Sequence, residues 1–265
     1  MKKSKKISLY FKSLILIILT VALILFCRLI LKPNSTINIL NTNQSNLNEP
    51  SSNNNDSEYG NTLNANQNSA IPNTKTAIIA ETAKIDVPFT SQAPLGVWDA
   101  LHEDACEEAS LLMINHYLSK TQFDSKQSAD LEIKNMIDYE NQVGFTPSVT
   151  LEELNQIASN NLDKTNGIVK TNVSIDDIKK ELSDGHPVIV GAAGKLLLNP
   201  NFKNGGPNYH MLVITGYDQT GFITNDPGTR LGENYHYDFE ILFNAIHNFD
   251  AKNINEGAKS YLVFD

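Results

Sequence analysis

The sequence predicts an α+β fold over its last two-thirds, and three observations lead there. Helical patterns with capping signals come first. Short β-rich runs bounded by Gly, Pro, Asn and Asp come later, and no regular strand–helix–strand alternation links the two groups. The first third of the chain has neither pattern and divides into two non-globular segments.

Residues 1–32 read as a basic tail and a transmembrane signal-anchor. Lys2, Lys3, Lys5, Lys6 and Lys12 precede an apolar run from Leu14 to Cys27, broken by Thr20. Carried on to Leu31, that run is about 27 Å long as a helix, against a hydrocarbon core of roughly 30 Å. Lysines before the span orient the N-terminus to the cytoplasm and leave the remainder extracytoplasmic, in a single-pass cell-membrane protein. Secretion after signal cleavage is the alternative, but Leu25-Phe26-Cys27-Arg28 offers no Ala-x-Ala site. Residues 33–83 read as a disordered Asn/Ser-rich linker, with 14 asparagines among the 44 residues from Pro33 to Thr76. As a flexible coil such a tether reaches about 35–40 Å.

Residues 84–265 form the third unit, long enough for one well-buried core. Ile85 to Phe89 reads as a short edge strand carrying Pro88. Asp104 to Tyr117 has helical spacing, and Asp104 with Glu107 matches a capping box that would set Cys106 in the first turn. A polar helix spans Ser125 to Ile137, a third opens at the Thr150/Glu153 box, and a fourth runs from Ser174 to Leu182. His186 to Gly191 is a buried-strand pattern. His210 to Tyr217 and Phe222 to Asn225 form a hairpin, Asp238 to Asn248 a helix, and Tyr261 to Phe264 a closing strand.

Charge narrows the ligand classes. The chain carries a net charge of −9, and residues 84–265 hold 13 Lys/Arg against 26 Asp/Glu, a net of −13. A nucleic-acid partner is excluded, because phosphate binding needs a basic footprint. Cys106 is the only cysteine of this unit, so it contains no internal disulfide.

A lone thiol at a helix start, where the thiolate is favoured, with a histidine opening a distant strand, is the layout of a thiol hydrolase. Cys106 is the candidate nucleophile. Glu103, Asp104, Glu107 and Glu108 surround it and disfavour a thiolate, so it needs a cationic partner. His210 is the candidate base, because a Gly-Gly-Pro loop delivers it to the mouth of a strand that continues as pure core. The orienting group is Asp226 or Asn225: an ideal turn at Gln219-Thr220 pairs residue 210 with 229, which favours Asn225 by parity unless a bulge intervenes. Gln92 is the candidate oxyanion donor, together with the Cys106 backbone N–H. No metal or organic cofactor is implied.

Five segments carry a family resemblance: Val87-Pro88-Phe89-Thr90-Ser91-Gln92, Cys106-Glu107-Glu108-Ala109-Ser110, Gly185-His186-Pro187-Val188-Ile189-Val190, Tyr209-His210-Met211-Leu212-Val213 and Thr224-Asn225-Asp226-Pro227-Gly228-Thr229. In this order they resemble the papain-like cysteine peptidases of family thirty-nine, in their exported stand-alone branch. The resemblance implies the papain-like fold, N-terminal helices packed on a C-terminal antiparallel sheet. It assigns Cys106 as nucleophile, His210 as base, Asp226 as orienting group and Gln92 as oxyanion donor, with a peptide or protein as substrate. The chain departs from the bacteriocin-processing pattern in having Glu107 after the cysteine, where Gly is usual, and a longer spacing from Gln92 to Cys106. Two other expectations remain beside peptide hydrolysis: a cell-wall peptide amidase or transpeptidase, and a catalytically silent peptide-binding module. The sequence is silent on oligomeric state.

Overall fold

The computed structural model describes residues 79–265. The expected anchor at 1–32, and the expected linker at 33–83 as far as residue 78, lie outside the described residues. Among the described residues no helix is long and apolar enough to cross a membrane. Residues 79–84 pack with the rest of the described chain. Ile79 packs against the core, the Tyr217 hydroxyl donates to the Ala80 carbonyl (2.6 Å), and Ala83–Lys84 pair with a later strand.

An antiparallel sheet forms the middle layer. Its strands are β1 (Ala83–Lys84), β2 (Gly167–Thr171), β3 (Val188–Ala193), β4 (Tyr209–Tyr217), β5 (Gly221–Asn225), β6 (Tyr235–Asp238) and β7 (Ser260–Phe264). Their order is β2-β7-β3-β4-β5-β6, with β1 paired to the end of β4. Helices α1 (Cys106–Ser119), α2 (Lys126–Val143) and α3 (Leu151–Asn161) cover one face, while α4 (Ile175–Ser183) and α5 (Phe239–Ala245) cover the other.

The central strands read as unbroken apolar runs because both their faces are covered. Ile189, Met211, Val213 and Leu262 pack under α1–α3, whereas Val188, Val190, Leu212, Ile214 and Val263 pack under α4 and α5. Each such side chain contributes about 1.5–3 kcal/mol when fully buried. The helices start where local chemistry lets them. Thr150 and Glu153 cap α3 reciprocally, Ser174 and Asp177 do the same for α4, and the Ser125 side chain caps α2. Helix α2 continues past Ile137 until Gly144, whose φ of 88° closes it.

Two expectations are corrected. Ile85 to Phe89 is not a strand: the Ile85 N–H bonds the Thr215 carbonyl (2.8 Å), but no ladder follows, and Pro88 has no N–H to extend one. The Asp104/Glu107 capping box does not form. A 3₁₀ turn at His102–Asp104 precedes α1, its N-cap residue is Ala105, and the Glu107 carboxyl turns to the Cys106 side chain instead.

One irregularity positions the site. The turn at Gln219-Thr220 sets Tyr217 opposite Phe222 and Gly216 opposite Ile223, but beyond it Ile214 opposes Thr224 and Val213 opposes Asn225. Thr215 is the extra residue of a β-bulge. Its carbonyl accepts from the Ile85 N–H and its hydroxyl donates to the Ile223 carbonyl (3.2 Å). An unslipped ladder would leave Asp226 on the face away from His210. The one-residue slip turns Asp226 to the imidazole's face, where its Oδ1 lies 2.7 Å from His210 Nε2.

Candidate active site

Cys106 opens α1, where first-turn N–H groups have no intrahelical partners. Its thiol donates to Glu107 Oε2 (2.9 Å) and accepts from the Met211 N–H of β4 (3.4 Å). Burial, the Glu107 charge and the bond to Glu107 push its pKa well above the ordinary thiol value, with only the Met211 N–H opposing. The thiol is therefore protonated in this arrangement.

A buried acidic group lies behind it. Burial pushes Glu107 up to about 8 and Glu140 up to about 7, and lifts Glu108 well above the carboxylate range. Among the described residues no Lys, Arg or His pairs with any of the three. The charges of Glu140 and Glu107 add to burial in raising Glu108, and that of Glu140 adds to burial in raising Glu107.

His210 is the second residue of β4 and is 1% exposed. Its Nε2 lies 2.7 Å from Asp226 Oδ1, and its ring meets the edge of Phe202 with centroids 5.3 Å apart. With Asp226 ionised the ring proton sits on Nε2, which leaves Nδ1 as an acceptor. Nδ1 makes no hydrogen bond among the described residues. The thiol reaches the same strand from the α1 side, one residue along.

Asp226 is fully buried and fully satisfied. Oδ1 also accepts from the Gly228 N–H (2.9 Å), and Oδ2 accepts from the Tyr237 hydroxyl (2.6 Å) and Asn199 Nδ2 (3.3 Å). Burial alone would raise its pKa. The His210 charge and hydrogen bond, the Tyr237 hydroxyl and the Gly228 N–H outweigh it and hold the carboxyl below its ordinary value. Asn225 serves elsewhere: its Nδ2 donates to the Val87 carbonyl (2.8 Å) and its Oδ1 accepts from the Asn234 N–H (3.1 Å). The structure thus joins His210 to Asp226 and not to Asn225.

Gln92 ties three loops together. Its backbone N–H donates to the Pro227 carbonyl (2.9 Å), and its Nε2 donates to the carbonyls of His102 (2.8 Å) and Glu103 (3.0 Å). Both amide hydrogens are occupied, while Oε1 is buried without a partner. The remaining histidines are engaged away from the thiol. His102 bonds Asp99 and Asp130, His116 bonds Thr121 and Glu132, His186 meets Glu181, His236 meets Asp218, and His247 meets the Gly257 carbonyl.

A cleft of about 930 Å³ opens at this place, with Gln92, Trp98, Tyr209, His210, Gly228 and Arg230 among its walls. Cys106 is not among its lining residues. No cluster of three or more metal-ligating side chains occurs among the described residues.

Sequence reasoning missed Tyr237, Asn199 and Gly228. The alternation of Tyr235 and Tyr237 around His236 was the available signal for β6, the strand that presents the Tyr237 hydroxyl to Asp226.

A histidine–aspartate pair buried at the start of a sheet strand, with a single thiol at the head of the helix packed on that strand, has the make-up of an α+β thiol hydrolase. The chain belongs to the peptidase C39-like family, whose model matches residues 84–251. Membership points to a function of the cysteine-peptidase type. Among solved structures, a C39-like peptidase candidate from Bacillus anthracis is similar, with 19% identity over 70% of this chain and 98% of that chain, at a TM-score of 0.43. No curated protein matches the chain.

Proposed function

We propose that the domain is a cysteine peptidase that acts outside the cell membrane, held there by its N-terminal anchor, through Cys106, His210 and Asp226. The observation that carries this reading is the His210–Asp226 bond at 2.7 Å. It fixes the ring and leaves Nδ1 as the open acceptor, one residue along β4 from the N–H that holds the thiol. In the reaction the thiol proton passes to Nδ1 as sulfur attacks the scissile carbonyl carbon. The oxyanion is held by the Cys106 backbone N–H and by Gln92 Nε2, which exchanges one of its two carbonyl partners for it. Collapse of the intermediate expels the amine, which takes the proton from the imidazolium. Water, deprotonated by the same imidazole, then releases the acid from the thioester. Asp226 stays ionised throughout and stabilises the imidazolium.

The test is Cys106→Ser in the full chain, assayed on a peptide library beside the wild type. Loss of at least about a thousandfold in rate is expected for removal of the nucleophile. Unchanged hydrolysis sinks the reading. A second reading, a silent peptide-binding module, is favoured by the bond of the thiol to Glu107 and by its place outside the cleft walls. Saturable peptide binding without turnover by the wild type selects it. Turnover of wall fragments but not of proteins selects an amidase working with the same three residues.

A further inference from the structure

We propose that Glu107 is a latch on the nucleophile: in the resting protein it holds the Cys106 thiol off His210, and occupation of the cleft exchanges the Glu107 partner for the imidazole. The proposal rests on the catalytic reading of Cys106 and His210 given above.

Four observations carry it. The thiol donates to Glu107 Oε2 at 2.9 Å and leans on the Met211 N–H, so its hydrogen is committed and His210 is not among its partners. The imidazole is poised for a thiol it does not hold, because Nε2 is taken by Asp226 while Nδ1 is free. The thiol is buried, and Cys106 is not among the walls of the cleft that include His210, Gln92 and Gly228. Finally, Glu107 is 1% exposed with no cationic partner among the described residues, and the thiol is the one side chain that bonds it. A buried carboxyl with so weak a donor is an expensive way to hold a helix end, where a neutral side chain would do as well. A thiol whose proton is shared with a carboxylate is also a poor nucleophile, which agrees with the direction of its pKa shift. Rotation about the Cys106 Cα–Cβ bond is the smallest motion that trades one partner for the other.

The experiment follows alkylation of Cys106 by iodoacetamide in the full chain, read by mass spectrometry on the peptide that contains it, so that Cys27 does not interfere. At pH 9, above the value of about 8 to which burial raises Glu107, Glu107→Gln removes the charge and keeps the shape. Its second-order rate is expected to exceed that of the wild type by at least about tenfold, the scale of one hydrogen bond to a charged group. Adding His210→Ala is expected to abolish the gain, since the released thiol depends on that imidazole for its proton. An unchanged or slower rate in Glu107→Gln, or a gain that survives His210→Ala, overturns the latch. If Glu107→Gln does not fold, Glu107→Asp retracts the carboxylate by one methylene and is expected to act in the same direction. A Cys27→Ala chain, in which Cys106 is the one thiol, also decides: its Raman spectrum at neutral pH is expected to show a red-shifted S–H stretch, and an unshifted band or no S–H band overturns the proposal. The catalytic reading fails on a different result, unchanged turnover in Cys106→Ser, which leaves the alkylation comparison readable.

Discussion

Gly228→Ala tests the site at the point where space is tightest. A Cβ at Gly228 would lie 2.8 Å from His210 Cε1, 3.0 Å from His210 Nε2 and 2.8 Å from Phe202 Cε1. Ordinary carbon contacts begin near 3.4 Å, so the rings must give by about 0.6 Å. Neither is a free end. His210 is bound to Asp226 on one side and meets the Phe202 ring on the other, and the Gly228 N–H is itself a donor to Asp226. Moving the backbone away to relieve the methyl therefore loosens the carboxylate that holds the imidazole. A displacement of about 1 Å in a catalytic group costs on the order of 100-fold, so kcat/KM is expected to fall by about 10- to 100-fold, or about 1.4–2.7 kcal/mol. Overpacking of this kind also costs about 1–3 kcal/mol of stability, read as a lowered Tm. The assay is kcat/KM on a cleaved peptide together with thermal unfolding of the same preparations. A variant that keeps kcat/KM within about twofold would show that proton transfer does not pass through this imidazole.

Three further outcomes follow from the buried polar groups. Tyr237→Phe leaves Asp226 Oδ2 with Asn199 alone at 3.3 Å, and is expected to cost about 1.5–3 kcal/mol in chemical unfolding. Because the hydroxyl helps to depress the folded pKa of Asp226, that cost should be full at neutral pH and shrink as pH falls below the carboxylate range; a gap that does not change with pH refutes the assignment. The acidic group behaves oppositely. Glu107, Glu108 and Glu140 have raised folded pKa values, so their protons favour the folded state, and this stability is full below about pH 4.5 and is lost as pH rises through about 7 to 8. Tm is expected to decline over that window, with Glu140→Gln flattening the decline, and a wild-type Tm that rises from about pH 5 to about pH 8 contradicts the burial of these carboxyls.

The α+β class and most helices were legible because their signals are local. Thr150 and Glu153 lie three residues apart and cap as their types require, and the apolar run after His210 can only be a covered strand. Strands β2 and β6 escaped notice for the opposite reason. Gly-Ile-Val-Lys-Thr and Tyr-His-Tyr-Asp are short and half exposed, and only their neighbours β7 and β5 make them strands. Cys106 at a helix start and His210 at a strand mouth were readable from position. The choice between Asp226 and Asn225 was not, because it depends on a bulge at Thr215, a residue type common in regular strands. The Asp104/Glu107 pattern misled in the same way, since nothing local reveals that Glu107 spends its carboxyl on the neighbouring thiol.

The bulge at Thr215 makes competence a matter of counting, much like a reading frame. Between His210 and Asp226 the chain contributes one residue more than an ideal hairpin would, and that odd residue decides on which side of the sheet the carboxylate emerges. Every functional side chain could be retained and the hydrophobic faces kept, yet loss of a single residue between Thr215 and the turn would send Asp226 to the wrong side. A second, compensating insertion nearby would bring it back. In relatives of this chain, the length of the β4–β5 hairpin is therefore as diagnostic of a working His–Asp pair as the presence of the two residues themselves.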